Sequence, residues 1–222
     1  MQDPIVRHPT RAEQLDILVS AIADTCPPVG RVLDLGCGTG YAGYLLAGKR
    51  PDLRFTGVDL SADSLAEAKA NLTSFSSTPE LVAADLSDLP QLAPVAGSFD
   101  AIWSALTFHD LEHRAKQALI GWMVRQVSDD GFVFVYDRVR VTQAETFPLQ
   151  QAIWKRIESV HGAGMRTADS YAAYVDDLDR TNRPAPLADY FEWFADAGMT
   201  AQLLHLHGNI MLIAGARRTD AA

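Results

Sequence analysis

The sequence predicts an α/β fold in which helices cover both faces of a mostly parallel sheet, giving three layers. Two observations carry this prediction. Short apolar runs alternate with amphipathic stretches from residue 31 to residue 136, the order that parallel strands joined by helices produce. The chain also has 222 residues, of which 48% are hydrophobic and 21% are charged, and these values suit one globular domain with its own core. We therefore expect a single domain over residues 1–222.

The predicted core, about residues 31–137, contains five strands and the helices between them, and a helix over about 11–24 precedes it. The helix over 41–49 ends before Pro51, which cannot continue a helix, and the helix over 62–72 follows Ser61, whose hydroxyl can cap it. The predicted strands cover 31–35, 53–58, 80–84, 98–103 and 131–136, and a further helix covers 112–127.

The alternation of short apolar runs with amphipathic stretches ends after the fifth strand. The segment over about 138–179 is longer than a connection between strands needs, and helical patterns occupy 141–159 and 168–178 within it. We interpret this segment as a helical cap over the site. The last part, about 187–215, predicts a helix over 187–197 and a hairpin of strands over 200–206 and 209–214. The hairpin makes an antiparallel edge to an otherwise parallel sheet.

The balance of charge gives an expectation about partners. The formal net charge is −9, and a strongly acidic chain repels the phosphate backbone of nucleic acids. We therefore expect a small-molecule partner and regard nucleic acid as disfavoured. Self-association as a homodimer is compatible with the composition.

The composition also bears on location. Charged residues interrupt the N-terminus before any apolar stretch can form a signal peptide, and no apolar run approaches the ~20 residues that span a bilayer. Cys26 and Cys37 form no CxxC pair, which suits a reducing compartment. We expect a cytoplasmic protein without membrane contact and without a bound metal.

A glycine-rich loop follows the first predicted strand. Gly36, Gly38 and Gly40 let the backbone turn tightly and approach a ligand, and the next helix points its N-terminus at that ligand. Residues 38–43 even match GxGxxG, the dinucleotide fingerprint, which keeps an NAD-binding oxidoreductase open as an alternative. Asp34 argues against it, because a carboxylate repels a diphosphate but attracts the ammonium and sulfonium groups of S-adenosylmethionine.

Two further acids follow the next two strands. Asp59 ends the second strand, about 20 residues beyond the glycines, where an acid can accept hydrogen bonds from both ribose hydroxyls. Asp85 follows the third strand, where it could accept from an adenine amino group, with the Leu86 backbone N–H on a ring nitrogen. Three acids at three successive strand ends are a stronger signal than any one of them.

These segments together resemble the Rossmann-like (class I) S-adenosylmethionine-dependent methyltransferases. The resemblance rests on residues 32–40 (VLDLGCGTG), 57–61 (GVDLS), 84–85 (AD) and 99–104 (FDAIWS). It implies a methyltransferase with a seven-stranded Rossmann-like sheet that takes S-adenosylmethionine and releases S-adenosylhomocysteine. It also implies that the first acid and the glycines hold the methionine part, the second acid ribose, and the third acid adenine. The expected cofactor contacts are Asp34, Gly36, Cys37, Gly38, Gly40, Asp59, Leu60, Asp85, Leu86 and Ser104.

The chemistry is expected in the loop after the fourth strand, beside the methyl group. Methyl transfer needs alignment of the nucleophile, and it needs a base only if the acceptor must lose a proton. His109 is the candidate base, because an imidazole titrates near neutrality. Its alternative role is packing against the next helix. The expected acceptor-binding residues are His109, Arg138, Arg166 and Tyr171; for Tyr171, ordinary packing is the competing interpretation.

Three hypotheses about function follow. The first is methyl transfer to an oxygen, nitrogen or carbon atom of a small molecule. The second keeps the cofactor but changes the reaction, because the cap and the C-terminal stretch are similar to enzymes that carboxylate S-adenosylmethionine for tRNA modification; a tRNA methyltransferase is a related option. The third is a non-catalytic nucleotide-binding subunit that regulates a partner.

Overall fold

The computed structural model describes residues 1, 3, 10–95, 97–162, 167–181 and 183–218. The strands are β1 (Arg31–Leu35), β2 (Arg54–Asp59), β3 (Glu80–Ala83), β4 (Phe99–Ala105), β5 (Val127–Arg138), β6 (Met199–His207) and β7 (Ile210–Arg217). The helices are α1 (Arg11–Thr25), α2 (Tyr41–Lys49), α3 (Ala62–Asn71), α4 (His113–Gln126), α5 (Phe147–His161), α6 (Tyr171–Thr181) and α7 (Leu187–Asp196). Two 3₁₀ helices cover Leu89–Val95 and Phe108–Asp110.

The seven strands form one sheet in the order β3-β2-β1-β4-β5-β7-β6. The pairs among β1 to β5 are parallel, whereas β7 lies between β5 and β6 and runs antiparallel to both. The predicted fold class is therefore confirmed. Because the strand order reverses between β1 and β4, the crevice above that pair is where such sheets bind ligands.

Each face of the sheet is covered by helices, so the core has two halves. Adjacent residues of a strand point to opposite faces, and accordingly Leu33 packs with α4 and α7 while Val32 packs with α1 and α2. Each large apolar side chain buried in this way contributes about 1.5–3 kcal/mol relative to exposure. The two half-cores thus fix the sheet, and with it the strand ends that carry the site.

The segment after β5 forms a small unit of its own. Helices α5 and α6 share a cluster of buried apolar side chains, among them Phe147, Trp154 and Tyr174. This cluster contacts the turn between β6 and β7, where the Trp154 indole N–H donates to Asn209 Oδ1 at 3.3 Å. The segment predicted to form a cap therefore packs against the β6–β7 turn.

Two elements differ most from the sequence prediction in where they begin. Strand β5 begins at Val127, because residues 128–131 remain extended and shift the pairing register with β4 between Phe99 and Ala101. A Cβ at Gly131 would lie 2.8 Å from the Asp100 carbonyl oxygen, so only glycine allows this approach. Helix α5 begins at Phe147, later than predicted, and Pro148 occupies its first turn, where a missing N–H costs nothing.

Candidate active site

A pocket of about 230 Å³ lies at the carboxyl ends of β1, β2 and β4. The glycine loop forms its floor, Asp59 closes one side, and the loop after β4 closes another. The lining residues are Arg11, Asp34, Gly36, Cys37, Gly38, Thr39, Tyr41, Ala42, Asp59, Ala105, Leu106 and Thr107. The pocket thus brings together residues from four segments of the chain at the reversal of strand order.

The glycine loop is held against β2 and against the loop after β4. The Gly36 and Cys37 backbone N–H groups both donate to the Val58 carbonyl, at 2.7 and 2.9 Å. Gly36 has φ +77°, and a Cβ there would lie 2.3 Å from Thr107 Oγ1. This position therefore requires glycine both for its conformation and for its contact.

Asp34 is a buried carboxylate in the wall of the pocket. Its residue is 1% exposed, and among the described residues its Oδ1 has no hydrogen-bond partner. Burial raises the pKa of Asp34 to about 8; the Trp103 indole and Arg11 act in the opposite direction, and Asp59 adds to the rise. A buried acceptor without a donor is costly, so the pocket is complementary to a ligand that supplies a positive N–H donor.

Asp59 lies on the opposite side of the pocket and organises the loop. Its Oδ2 accepts the Gly38 N–H at 2.7 Å, and its Oδ1 accepts the Ser61 N–H at 2.9 Å. A carboxylate has about four acceptor positions, so Asp59 keeps capacity for two hydroxyl donors.

His109 is tied to an acid that the sequence prediction missed. Its Nδ1 lies 2.6 Å from Asp137 Oδ1, and its backbone N–H donates to Asp137 Oδ2 at 2.7 Å. The Asp137 side chain is fully buried and that of His109 is 13% exposed. Burial by itself lowers the pKa of His109, but the charge of Asp137 and its hydrogen bond outweigh burial and raise the pKa above its ordinary value. His109 Nε2 lies 3.6 Å from Asp110 Oδ1, beyond hydrogen-bond distance.

Comparison with known proteins identifies a domain within the chain. Residues 32–131 match a family model described as a methyltransferase domain, and this range contains β1 to β4 and the glycine loop.

Residues 32–131 form a methyltransferase domain, and the fold around them is that of the class I S-adenosylmethionine-dependent methyltransferases.

Its cofactor is S-adenosylmethionine, and the pocket of this methyltransferase fits it on chemical grounds. The unpartnered, buried Asp34 oxygen suits an ammonium group, and Asp59 suits the ribose hydroxyls. Metal ligands in proteins are usually clusters of His, Cys, Asp or Glu, and the described part of the chain holds no group of three such residues in suitable positions. Nor does any helix in the described ranges have the length and apolarity to cross a membrane.

Two kinds of relatives resemble this methyltransferase. The ribosomal RNA small subunit methyltransferase C of Pasteurella multocida is 35% identical over 101 residues, covering 45% of this chain and 29% of the relative. The protein of the same name from Cronobacter sakazakii is 33% identical over 119 residues, covering 52% and 33%. The alignments thus span about a third of these relatives. A solved structure of magnesium protoporphyrin IX methyltransferase from Synechocystis, with bound S-adenosylhomocysteine, has a TM-score of 0.64 at 17% identity and covers 98% of this chain and 90% of its own.

The expected partner needs correction. From the net charge we expected a small-molecule acceptor and disfavoured nucleic acid, and this expectation is wrong. The curated relatives are named for ribosomal RNA, so the similarity points to a nucleic acid acceptor and gives no support to a small molecule. Net charge misled the prediction because it sums the whole surface, whereas binding depends on the local charge around the site.

Five predicted cofactor residues lie outside the pocket lining. Asp85 accepts the N–H and the hydroxyl of Ser87 at 2.8 and 2.7 Å, and these bonds lower its pKa. The Leu86 side chain is buried in the core, which leaves its backbone for a ligand, and Leu60 is 72% exposed beside Asp59. The Ser104 hydroxyl donates to the Leu35 carbonyl at 2.7 Å inside the sheet, so it does not point into the pocket. Gly40 lies at the N-terminal end of α2 with φ +80°.

Of the predicted acceptor residues, His109 and Arg138 lie close together because both bond to Asp137, whereas Tyr171 belongs to the cluster between α5 and α6. The Tyr171 hydroxyl donates to the Thr142 carbonyl at 2.9 Å, and its ring packs against Phe147 with centroids 5.6 Å apart. This geometry favours the packing interpretation of Tyr171. Arg138 ends β5 beside Asp137 and is half-buried. Arg166 lies outside the described residues.

Sequence reasoning missed several residues of the site, among them Asp137, Arg11 and Thr107. Asp137 could have been found, because it stands near the end of a strand as Asp34 and Asp59 do. Arg11 and Thr107 belong to no motif, and only the packing of α1 and of the loop after β4 brings them to the pocket.

The Asp59→Ala variant is expected to bind S-adenosylhomocysteine about 1–3 kcal/mol more weakly, because a charged hydrogen-bond acceptor is lost and the Gly38 N–H loses its partner. Isothermal titration calorimetry measures the change. Asp63→Ala is the matched control, since Asp63 is exposed in the first turn of α3. Equal affinity in both variants would remove Asp59 from the cofactor site.

Proposed function

We propose that this methyltransferase transfers the methyl group of S-adenosylmethionine to an oxygen, nitrogen or carbon atom of its acceptor, with His109 as the general base. The observation that carries the proposal is the pairing of His109 Nδ1 with the buried Asp137 carboxylate at 2.6 Å. A carboxylate can only accept hydrogen bonds, so Nδ1 carries the proton and Nε2 has a free lone pair.

Asp137 is well placed to fix the imidazole. It accepts three hydrogen bonds, from His109 Nδ1, from the His109 backbone and from the Arg138 backbone, at 2.6, 2.7 and 2.6 Å. A base held at both its ring and its backbone keeps its orientation, and the adjacent carboxylate stabilises the imidazolium that forms when Nε2 takes a proton.

The bound cofactor supplies a methyl carbon activated by the positive sulfur. The acceptor atom forms a bond to that carbon while the carbon–sulfur bond breaks, and the electron pair of the broken bond goes to sulfur. His109 Nε2 removes the proton of the acceptor. The chain's own contribution is to align the two reactants and to hold this base.

RNA is the acceptor class that we propose, with support from the names of the relatives and from a cleft beside His109. The cleft, of about 210 Å³, is lined by Arg140, Arg183 and His113, together with Glu112 and residues from the end of α6 and the 184–186 segment. It adjoins the base, because the Arg183 backbone N–H donates to the His109 carbonyl at 2.7 Å. Arg183 Nη1 lies 3.0 Å from Glu112 Oε1; both side chains are exposed, so this pair is weak and can exchange for a phosphate.

The proposal is tested with methyl-tritiated cofactor and two sets of acceptors. One set is deproteinised ribosomal RNA and small ribosomal subunits from cells that lack the gene, and the other is the low-molecular-weight fraction of the same cells. We expect label in material that ribonuclease degrades. Label confined to the low-molecular-weight fraction would overturn RNA as the acceptor but leave methyl transfer intact, and cofactor binding without label in any fraction would contradict catalysis.

The Arg140→Gln variant is expected to raise the apparent KM for RNA several-fold and to reduce the salt dependence of binding, because one phosphate contact is lost. Cofactor affinity should not change, since Arg140 lies outside the cofactor pocket. Arg114→Gln is the matched control: Arg114 is exposed on α4 and does not line the cleft. Identical KM values and salt slopes for both variants would remove the cleft from RNA binding.

A further inference from the structure

Arg11 is a buried cation in the cofactor pocket, far in sequence from every motif of the family. It begins α1, is 5% exposed and lines the pocket together with Asp34 and Tyr41. Its guanidinium carbon lies 6.0 Å from the centroid of the Tyr136 ring, which lies in the sheet on β5. Packing therefore holds the guanidinium in place before any ligand arrives.

Only part of the hydrogen-bonding capacity of Arg11 is used by the protein. Nε donates to both oxygens of Asp3, at 2.9 and 2.7 Å. Nη1 is buried and makes no hydrogen bond of normal geometry with the described part of the chain. The neighbouring Tyr136 hydroxyl is also unpartnered by geometry, but it is close enough for the guanidinium to oppose the rise that burial causes in the pKa of Tyr136. Asp3 is the acceptor for the Nε donor of the guanidinium, but it does not accept from Nη1.

The pocket therefore presents two buried groups of opposite charge, each with an unpartnered atom. Asp34 offers a carboxylate oxygen without a donor, and Arg11 offers a nitrogen without an acceptor. An arginine donor is matched best by a carboxylate or phosphate oxygen. A ligand that satisfies both atoms must carry an ammonium and an anionic oxygen close together, which describes an α-amino acid zwitterion.

We propose that Arg11 binds the carboxylate of the amino-acid end of S-adenosylmethionine, while Asp34 binds its ammonium. This inference rests on the cofactor assignment of the proposed function. It makes α1 part of the cofactor site and gives the pocket specificity for the complete amino acid over nucleosides that lack it. The competing occupant of Arg11 is an anionic group of the acceptor.

The test compares three ligands by calorimetry on the wild-type protein and on Arg11→Gln. The ligands are S-adenosylhomocysteine, its decarboxylated analogue, which keeps the amino group, and 5′-methylthioadenosine, which lacks the amino acid. The wild type should bind S-adenosylhomocysteine about 10- to 100-fold more tightly than the decarboxylated analogue, the range for one charge-assisted hydrogen bond. Arg11→Gln should lose this preference and should bind 5′-methylthioadenosine within twofold of the wild type.

The controls separate the possible failures. Asp59→Ala should weaken all three ligands, because it acts on the ribose. If Arg11→Gln still binds 5′-methylthioadenosine, the variant is folded. If the variant does not fold, the inference is tested by the preference of the wild type for S-adenosylhomocysteine over its decarboxylated analogue. A wild type with no preference for the carboxylate, or a variant that keeps it, overturns the inference and assigns Arg11 to the acceptor or to structure. A wild type that binds none of the ligands overturns the cofactor assignment instead.

Discussion

Asp34→Asn is expected to weaken S-adenosylhomocysteine binding by at least about 30-fold and, at the same time, to stabilise the free protein. The carboxylate is buried and has an unpartnered oxygen, so its charge is costly without a cation and valuable with one. Removing one partner of a buried, hydrogen-bonded charge pair costs about 2–5 kcal/mol of binding energy. The amide of asparagine keeps the shape but cannot carry the charge.

The raised pKa of Asp34 determines how the stability of the free protein changes with pH. The pKa of Asp34 is raised to about 8 in the folded protein, above its unfolded value of about 4. The folded state therefore keeps a proton that the unfolded state has lost, and the contribution of Asp34 makes stability fall as pH rises from about 4 to 8. Asp34→Asn removes this contribution, and we expect it to be more stable than the wild type at pH 8 by about 1–3 kcal/mol.

Cofactor affinity should depend on pH in the opposite sense. The ammonium of the ligand pairs with the ionised carboxylate, so binding below pH 8 must release the Asp34 proton. We expect affinity to fall by up to tenfold per pH unit as pH decreases from about 8. Calorimetry in buffers of different ionisation enthalpy measures the released proton, and 5′-methylthioadenosine, which has no ammonium, should release none. Proton release with both ligands, or with neither, would contradict the role of Asp34.

The second large effect is expected at the base. His109→Asn should lower kcat by about 10²- to 10⁴-fold, the usual contribution of a general base, while S-adenosylhomocysteine binds normally because His109 lies outside the cofactor pocket. His161→Asn is the matched control, since His161 is exposed at the end of α5. Normal turnover in His109→Asn at every pH would make His109 a structural residue.

Asp137→Asn tests the same base by its pH profile. Only neutral imidazole accepts a proton, so kcat/KM of the wild type should decrease as pH falls through the raised pKa of His109. Loss of the Asp137 charge removes the cause of that rise, and the inflection should move to lower pH. The plateau rate should also fall, because asparagine does not select the tautomer with the proton on Nδ1. A lower rate with an unmoved inflection would assign Asp137 to packing alone.

Local patterns were enough to predict the fold and part of the pocket. The glycines and the acids at Asp34 and Asp59 follow strands of recognisable hydrophobicity, and strand ends meet at one edge of a parallel sheet. The same rule extended to β5 would have found Asp137. The position of Ser104 was harder to predict, because the sheet leaves its hydroxyl facing the Leu35 carbonyl and not the pocket.

The remaining site residues depend on contacts that sequence spacing does not encode. Arg11 reaches the pocket only because α1 packs across the sheet onto Tyr136. Arg183 reaches His109 only because the chain returns after α6 to bond with the loop after β4. Residues such as these carry no motif, since a lone arginine is usually a solvated surface residue.

The position of β7 constrains how this chain reaches its folded state. Strand β7 follows every other strand of the sheet in sequence, yet it lies in the interior, between β5 and β6. During synthesis the open edge of β5 has no neighbour until residues 210–217 have left the ribosome, so a nascent chain with all its binding motifs complete still exposes an unpaired strand. Exposed edges of this kind recruit other chains, and a chaperone that shields β5 until β7 has emerged would raise the yield of folded protein.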